Sequence, residues 1–318
     1  MLLFVFMART LRFVKIPYAP FEITTRTIQS RFLLKPSKKL NNLILGVIGR
    51  ALSLYPKIRM HILIVASNHF QAIASAPDAK AKARFMGHIN SNIAKEAGRL
   101  YKWKDKFWSK RYTAIAIEDD ESLIAKFKYI LAHGAKEGLV LRPGDWPGVN
   151  CVAALTRGKT LSGTWYDRSN YYLDSQKGKD CNLSDYAIEY DIPLSPIHCF
   201  EDKSDEERTR IYRALVAEIE QETQDQVRNT KVQPLGRKAV LAQDPHDSPR
   251  HSKKSPKPWC HAKDKKNRQA FKQAYKSFEA AYRFAADRLR QGRSAKFPEG
   301  CFPPAPAFTA REIEIAFA

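Results

Sequence analysis

No apolar run in this chain approaches the roughly 20 residues that a membrane-spanning helix needs, so no membrane span is expected. Cysteine is scarce. Five in 318 residues, an odd number with no paired Cys-x-x-Cys spacing, argue against a disulfide framework and fit free thiols in a reducing compartment. Acidic residues are also short, 33 against 54 Lys+Arg, and the net charge of +21 calls for a polyanionic partner, nucleic acid first and anionic membrane second. The opening MLLFVFM has no basic residues before it, no small-residue cleavage site after it, and too few residues for a secretory h-region. Met7 starts the more ordinary MARTLRF, and the expected location is the cytoplasm. A hydrophobic content of 44% is ordinary for a globular protein, and no internal repeat is visible.

The first half alternates strand and helix signals. PFEITTRTIQSRF, residues 20–32, is rich in β-branched residues. Ser37 is a plausible N-cap for the helical spacing of SKKLNNLILGVIGRALSLYP. IRMHILIVASNHFQAIAS follows as one long strand or two, then a helix in AKAKARFMGHINSNIAKEAGRLYKW. FWSKRYTAIAIED predicts another strand and DESLIAKFKYILAHGAKEGLV another helix. This order suggests an α+β fold with a ferredoxin-like antiparallel sheet, closed by RPGDWPG near residue 150.

Beyond that point the texture changes. The expected division is an N-terminal segment (1–19), a catalytic unit (20–150), an accessory region with one helix (151–227), a basic flexible segment (228–262), and a C-terminal helix with a Pro-rich end (263–318). Phe271, Tyr275, Phe278, Tyr282, Ala285 and Leu289 form an apolar stripe on the last helix, read as packing. Cys260 and His261, with His246 and His251, match no zinc spacing.

Chemistry concentrates at two places. Along SNHFQAIAS, His69 and Gln71 are two apart and share one face of a strand that otherwise looks buried. His61 has the same parity if no bulge intervenes. On the later helix Tyr129 and His133 are four apart and share a face.

Taken in order, N-H-F-Q, F-W-S-K-R-Y and K-Y-I-L-A-H-G-A-K-E-G-L-V resemble the single-tyrosine HUH transposases, in particular the stand-alone bacterial kind associated with repetitive extragenic palindromes. The resemblance covers roughly residues 20–150. It implies that Tyr129 is the nucleophile and that His69, Gln71 and His133 hold Mg²⁺ or Mn²⁺. Gln71 departs from the family's second histidine, though its carbonyl oxygen suits a hard cation. His133-Gly134 departs from the family's Asn-Pro, and a histidine there offsets the ligand lost at Gln71. His61 aligns with a frequent family histidine whose role stays open.

The implied activity is that of a mobile element's transposase: single-stranded DNA is nicked and rejoined through a 5′-phosphotyrosine. The implied partners are single-stranded or hairpin DNA and a second copy of the chain, with no membrane. Trp108, Lys110, Arg111, Tyr112 and Lys136 are the expected nucleic-acid contacts, with aromatic faces for bases and cations for phosphates. Tyr112 is the competing nucleophile, on a predicted strand. Two rival readings are a catalytically inactive DNA-binding protein of the same fold and an RNA-binding module.

Overall fold

The computed structural model describes residues 11–250 and 257–304. MLLFVFM, Met7, His251 and residues 305–318 therefore lie outside the described residues. Strand β1 (Pro20–Arg26) is followed by α1 (Lys38–Leu54), β2 (Arg59–Ala66), β3 (His69–Ser75), α2 (Ala79–Tyr101), β4 (Thr113–Ile117) and α3 (Asp120–Lys136). The helices start where side-chain caps stop the backbone: Ser37 accepts from the Leu40 amide, Asp78 from Ala81 and Asp119 from Ser122.

The apolar run that sequence alone left as one strand or two is a hairpin, because Ser67 and Asn68 turn the chain between β2 and β3. The sheet order is β2-β3-β1-β4, all antiparallel, which is the ferredoxin-like arrangement; a short β7 (Cys260–His261) adds in parallel beside β4. β3 is central and buried along its whole length. Its two faces meet different layers. Lys82 of α2 lies over the Phe21 ring at 4.6 Å, and α1 packs beside α2, so these helices cover the face of Phe21, Ile23, Phe70 and Ala72. α3 covers the other face, where His69 and Gln71 project. One side of the sheet is thus an ordinary apolar core, and the other encloses polar groups.

The later residues wrap this unit. α4 (Val152–Arg157) and α5 (Arg168–Gln176) flank β5 (Ser162–Tyr166), which pairs with β6 (Ala187–Asp191) in a hairpin that sequence periodicity did not reveal. The hairpin sits on α1 so closely that a Cβ on Gly46 would lie 2.1 Å from the Thr164 carbonyl oxygen. Gly46→Ala is therefore expected to force the two elements apart and cost about 1–3 kcal/mol, the usual scale of overpacking. A thermal melt would show it as a lowered Tm, and an unchanged Tm would mean that the hairpin is not fixed on α1.

α6 (Asp205–Thr230) starts at a reciprocal Ser204–Glu207 capping box and lies along α3. Tyr212 stacks on Phe127 at 5.4 Å, and Lys128 pairs with Glu218 at 2.6 Å and with Glu222 at 2.8 Å. Residues 228–262, read from composition as flexible, contain α7 (Arg237–Ala242) and β7. In α8 (Lys265–Arg290) most of the stripe packs as expected: Phe271 and Tyr275 are buried, each with its ring 5.7 Å from Phe13, whereas Leu289 at its end is exposed.

Candidate functional site

On the enclosed face, α3 lowers two side chains onto β3. The His133 ring stands 4.6 Å from the His69 ring, edge to face, and the Tyr129 ring lies 5.9 Å from His133, one helical turn back. Both histidines are buried. Burial, then the neighbouring His133 and Arg26, hold His69 well below the usual imidazole range. Burial also lowers His133, with Arg26 and Lys136 acting in the same direction against Glu137 and Glu22. Both rings are therefore neutral near pH 7 and keep a lone pair each.

The hydrogen bonds say which lone pairs are free. His69 Nδ1 donates to the Asn68 side-chain oxygen at 2.7 Å, so Nε2 is its unprotonated nitrogen. His133 Nδ1 is buried and has no hydrogen-bond partner. An orphaned buried nitrogen costs free energy unless something fills it. Two imidazoles in contact, one orphaned and one oriented by a neighbour, are nitrogen donors that fit a divalent cation, and Gln71 lies two residues along β3 on the same face.

Gln71 belongs to a second cluster that sequence reasoning missed. Its Nε2 donates to Glu22 Oε1 at 2.5 Å; the other Glu22 oxygen meets His261 Nε2 at 2.5 Å and Lys126 Nζ at 3.5 Å. Burial alone would raise the Glu22 carboxyl, but the His261 bond, the Lys126 charge and the Gln71 bond outweigh it and hold it below the ordinary carboxylate value. Glu22 was detectable in principle: Glu22, Thr24 and Arg26 alternate with Phe21, Ile23 and Thr25, the same period of two that singled out His69 and Gln71. His261 carried no such local signal.

Tyr129 is half-buried, between two ammonium groups: Lys136 Nζ lies 4.5 Å from its ring centre and Lys126 Nζ 5.1 Å. Burial, with the charges of Glu137 and Glu22, raises its hydroxyl above the usual phenol value against the pull of Arg26. Lys136 thus belongs to this site. The competing Tyr112 is elsewhere, in a cavity lined also by Arg12, Lys82 and Lys257, with the Arg12 guanidinium 5.9 Å from its ring. His61 is elsewhere too. A bulge between Met60 and Ile62 breaks the parity, and its two nitrogens meet the Ser195 carbonyl at 3.0 Å and the Ser75 hydroxyl at 2.9 Å. It is a satisfied core histidine.

Trp108, Lys110 and Arg111 line an open groove of about 1380 Å³ between α2 and the segment 102–113, and Tyr112 borders it as well. Lys110 and Arg111 are exposed there, as are Lys102, Lys104 and Lys106. Trp108 is half-buried, its indole donating to the Asn90 carbonyl at 2.8 Å. Trp103 also lines the groove, half-buried, with the Arg31 guanidinium 5.6 Å and the His246 ring 5.8 Å from its ring. The groove wall ends on β1, where the Ser109 amide donates to the Arg26 carbonyl at 2.9 Å, and Arg26 is the β-sheet partner of His69.

One more donor cluster occurs among the described residues. Asp120, His198 and Cys199 bring one ligand atom each to within 4.8 Å of the others, at the surface by the start of α3. Along the helix that is about 20 Å from His133, at 1.5 Å per residue, so it is separate from the buried site.

No protein-family model matches the chain, and no curated protein matches it. Among solved structures it is similar to a REP-associated tyrosine transposase bound to a REP hairpin, at 18% identity and a TM-score of 0.39, over 46% of this chain and 85% of that one. It is also similar to a candidate transposase from Deinococcus radiodurans R1, at 11% identity and a TM-score of 0.28, over 39% of this chain and 95% of that one. At these scores the likeness carries no argument about activity. Among the described residues no helix is long and apolar enough to cross a membrane.

Proposed function

We propose that this chain nicks and rejoins single-stranded DNA, with Tyr129 as nucleophile and His69, His133 and Gln71 as the ligands of a divalent cation, Mg²⁺ or Mn²⁺. The observation that carries this reading is the row of half-buried Tyr129 against buried His133 and His133 against buried His69, with His133 Nδ1 left without a partner. A domain that only bound DNA would need none of them there.

The chain's own residues supply most of the chemistry. A phosphodiester repels nucleophiles by its negative charge; Arg26, Lys126 and Lys136 around Tyr129 attract it and offset that repulsion. The cation, when bound, polarises the phosphate oxygens and stabilises the charge that develops on them. Tyr129 starts as a neutral phenol, so its proton leaves as Oη bonds to phosphorus. The P–O3′ bond breaks in the same displacement, and the departing oxygen gains a proton to become a free 3′-OH. The phosphate stays on Tyr129 as a 5′-phosphotyrosine. Rejoining is the reverse: a 3′-OH attacks phosphorus and the tyrosine oxygen leaves with a proton. One phosphate ester is exchanged for another, so no nucleoside triphosphate is required.

The groove by α2 is the proposed path for the strand, because it combines eight exposed cations with Trp103 and ends at Arg26. Replacing Lys102, Lys104, Lys106 and Lys110 together by Gln is expected to flatten the plot of log affinity against log salt. Each lost phosphate contact should remove about 0.7 from the slope. An unchanged slope would place the strand on another surface. The activity itself is tested by incubating the protein with single-stranded hairpin DNA and Mn²⁺. A covalent protein–DNA species that survives denaturation supports the enzyme; tight binding with no such species on any hairpin supports the inactive DNA-binding reading.

A further inference from the structure

We infer that His261, from the C-terminal part of the chain, is a positioning residue of the metal site, acting through Glu22 to fix which end of the Gln71 amide faces the cation. This rests on the proposed ligand role of Gln71.

The geometry is a relay across the sheet. Gln71 is on β3, and Glu22 is on the neighbouring β1; His261 comes from β7, two strands from β1, beyond β4. Glu22 Oε1 takes the Gln71 amide hydrogen at 2.5 Å, and Oε2 is held by His261 at 2.5 Å and by Lys126 at 3.5 Å. A carboxylate only accepts hydrogen bonds, so the Gln71 end that meets it must be the NH₂. The amide carbonyl is then the end left for a cation, and only that end can bind one. A glutamine free to rotate would present the wrong end part of the time; the histidine that this position has in the resembling family carries no such ambiguity.

His261 is itself fixed by backbone. β7 pairs in parallel with β4, with Ile117 opposite His261, and the Glu118 amide donates to the His261 carbonyl at 2.9 Å. Glu22 is buried on β1, and a buried carboxylate stripped of a partner is costly, so it would turn to recover one. Removing His261 leaves only the longer Lys126 contact on Oε2. His261 makes its contact with Glu22, and the hydrogen bond that continues from Glu22 toward the site is the one to Gln71.

The test is Mn²⁺ binding by the full chain, followed by calorimetry without DNA. Wild type should bind one Mn²⁺ that His69→Ala abolishes. His261→Ala should weaken Mn²⁺ by ~10–100-fold, the usual cost of losing an outer-shell partner. His261→Gln, which keeps an N–H donor toward Glu22, should recover most of it. Glu22→Gln, similar in volume but no longer a pure acceptor, should weaken binding as His261→Ala does. In a Gln71→His background His261→Ala should have little effect, because an imidazole needs no amide orientation. Equal Mn²⁺ affinity of folded His261→Ala and wild type would overturn the inference and leave the metal site standing. So would an equal loss in the Gln71 and Gln71→His backgrounds, which would mark His261 as merely structural. Should His261→Ala not fold, Glu22→Gln decides: undiminished binding overturns the inference. If wild type binds no Mn²⁺ that depends on His69, the metal site fails and the inference falls with it.

Discussion

Tyr129→Phe is expected to eliminate the covalent DNA adduct while leaving DNA bound. The substitution removes one hydroxyl from a half-buried ring that keeps its contacts with His133, Lys126 and Lys136. DNA affinity should therefore stay within about 1 kcal/mol, the net worth of a typical hydrogen bond. Tyr112→Phe should leave the adduct at its wild-type level, because Tyr112 sits in the cavity with Arg12 and Lys257 and away from both histidines. Gel electrophoresis under denaturing conditions with labelled hairpin DNA reads both variants. The reverse pattern, with adduct surviving in Tyr129→Phe and lost in Tyr112→Phe, would move the nucleophile to the other side of the sheet.

Nicking should stop in chelator and return on adding Mg²⁺ or Mn²⁺. His69→Ala should be the most damaging single ligand change, because its Nε2 is oriented by the Asn68 contact and its ring meets His133 directly. The loss should exceed the ~10–100-fold that outer-shell substitutions cost. Gln71→His should keep or raise activity, since it restores the histidine of the resembling pattern. Cleavage that proceeds undiminished in chelator would remove the metal from the mechanism. Activity abolished by Gln71→His would mean that the Glu22–Gln71 bond serves some other step.

Much of the fold was legible because local rules were obeyed. Ser37 caps α1 where its side chain suggests it. The period of two put His69 and Gln71 on one face, and the i, i+4 spacing put Tyr129 beside His133. Other features had no local trace. The Ser67–Asn68 turn interrupts the apolar run for only two residues, so one strand and two looked alike. His61 lost its parity to a bulge, which leaves no mark in composition. β5 and β6 are short, aromatic and partly exposed, without the alternation that marks a half-buried strand. His133-Gly134, a departure from the resembling motif, makes sense only in three dimensions: a Cβ on Gly134 would come within 3.3 Å of both Trp146 and Val140. The Glu22–His261 bond joins residues 239 apart in sequence, and nothing in either neighbourhood points to the other.

The most direct measurement is to find which residue carries the DNA. The adduct formed with Mn²⁺ would be digested with nuclease and trypsin, and the nucleotide-bearing peptide sequenced by mass spectrometry. Trypsin separates the candidates, with Tyr129 in the peptide 129–136 and Tyr112 in the peptide 112–126. The account predicts a 5′-phosphonucleotide on Tyr129 in the first of these. The modification on Tyr112, or on any residue outside 129–136, would contradict it.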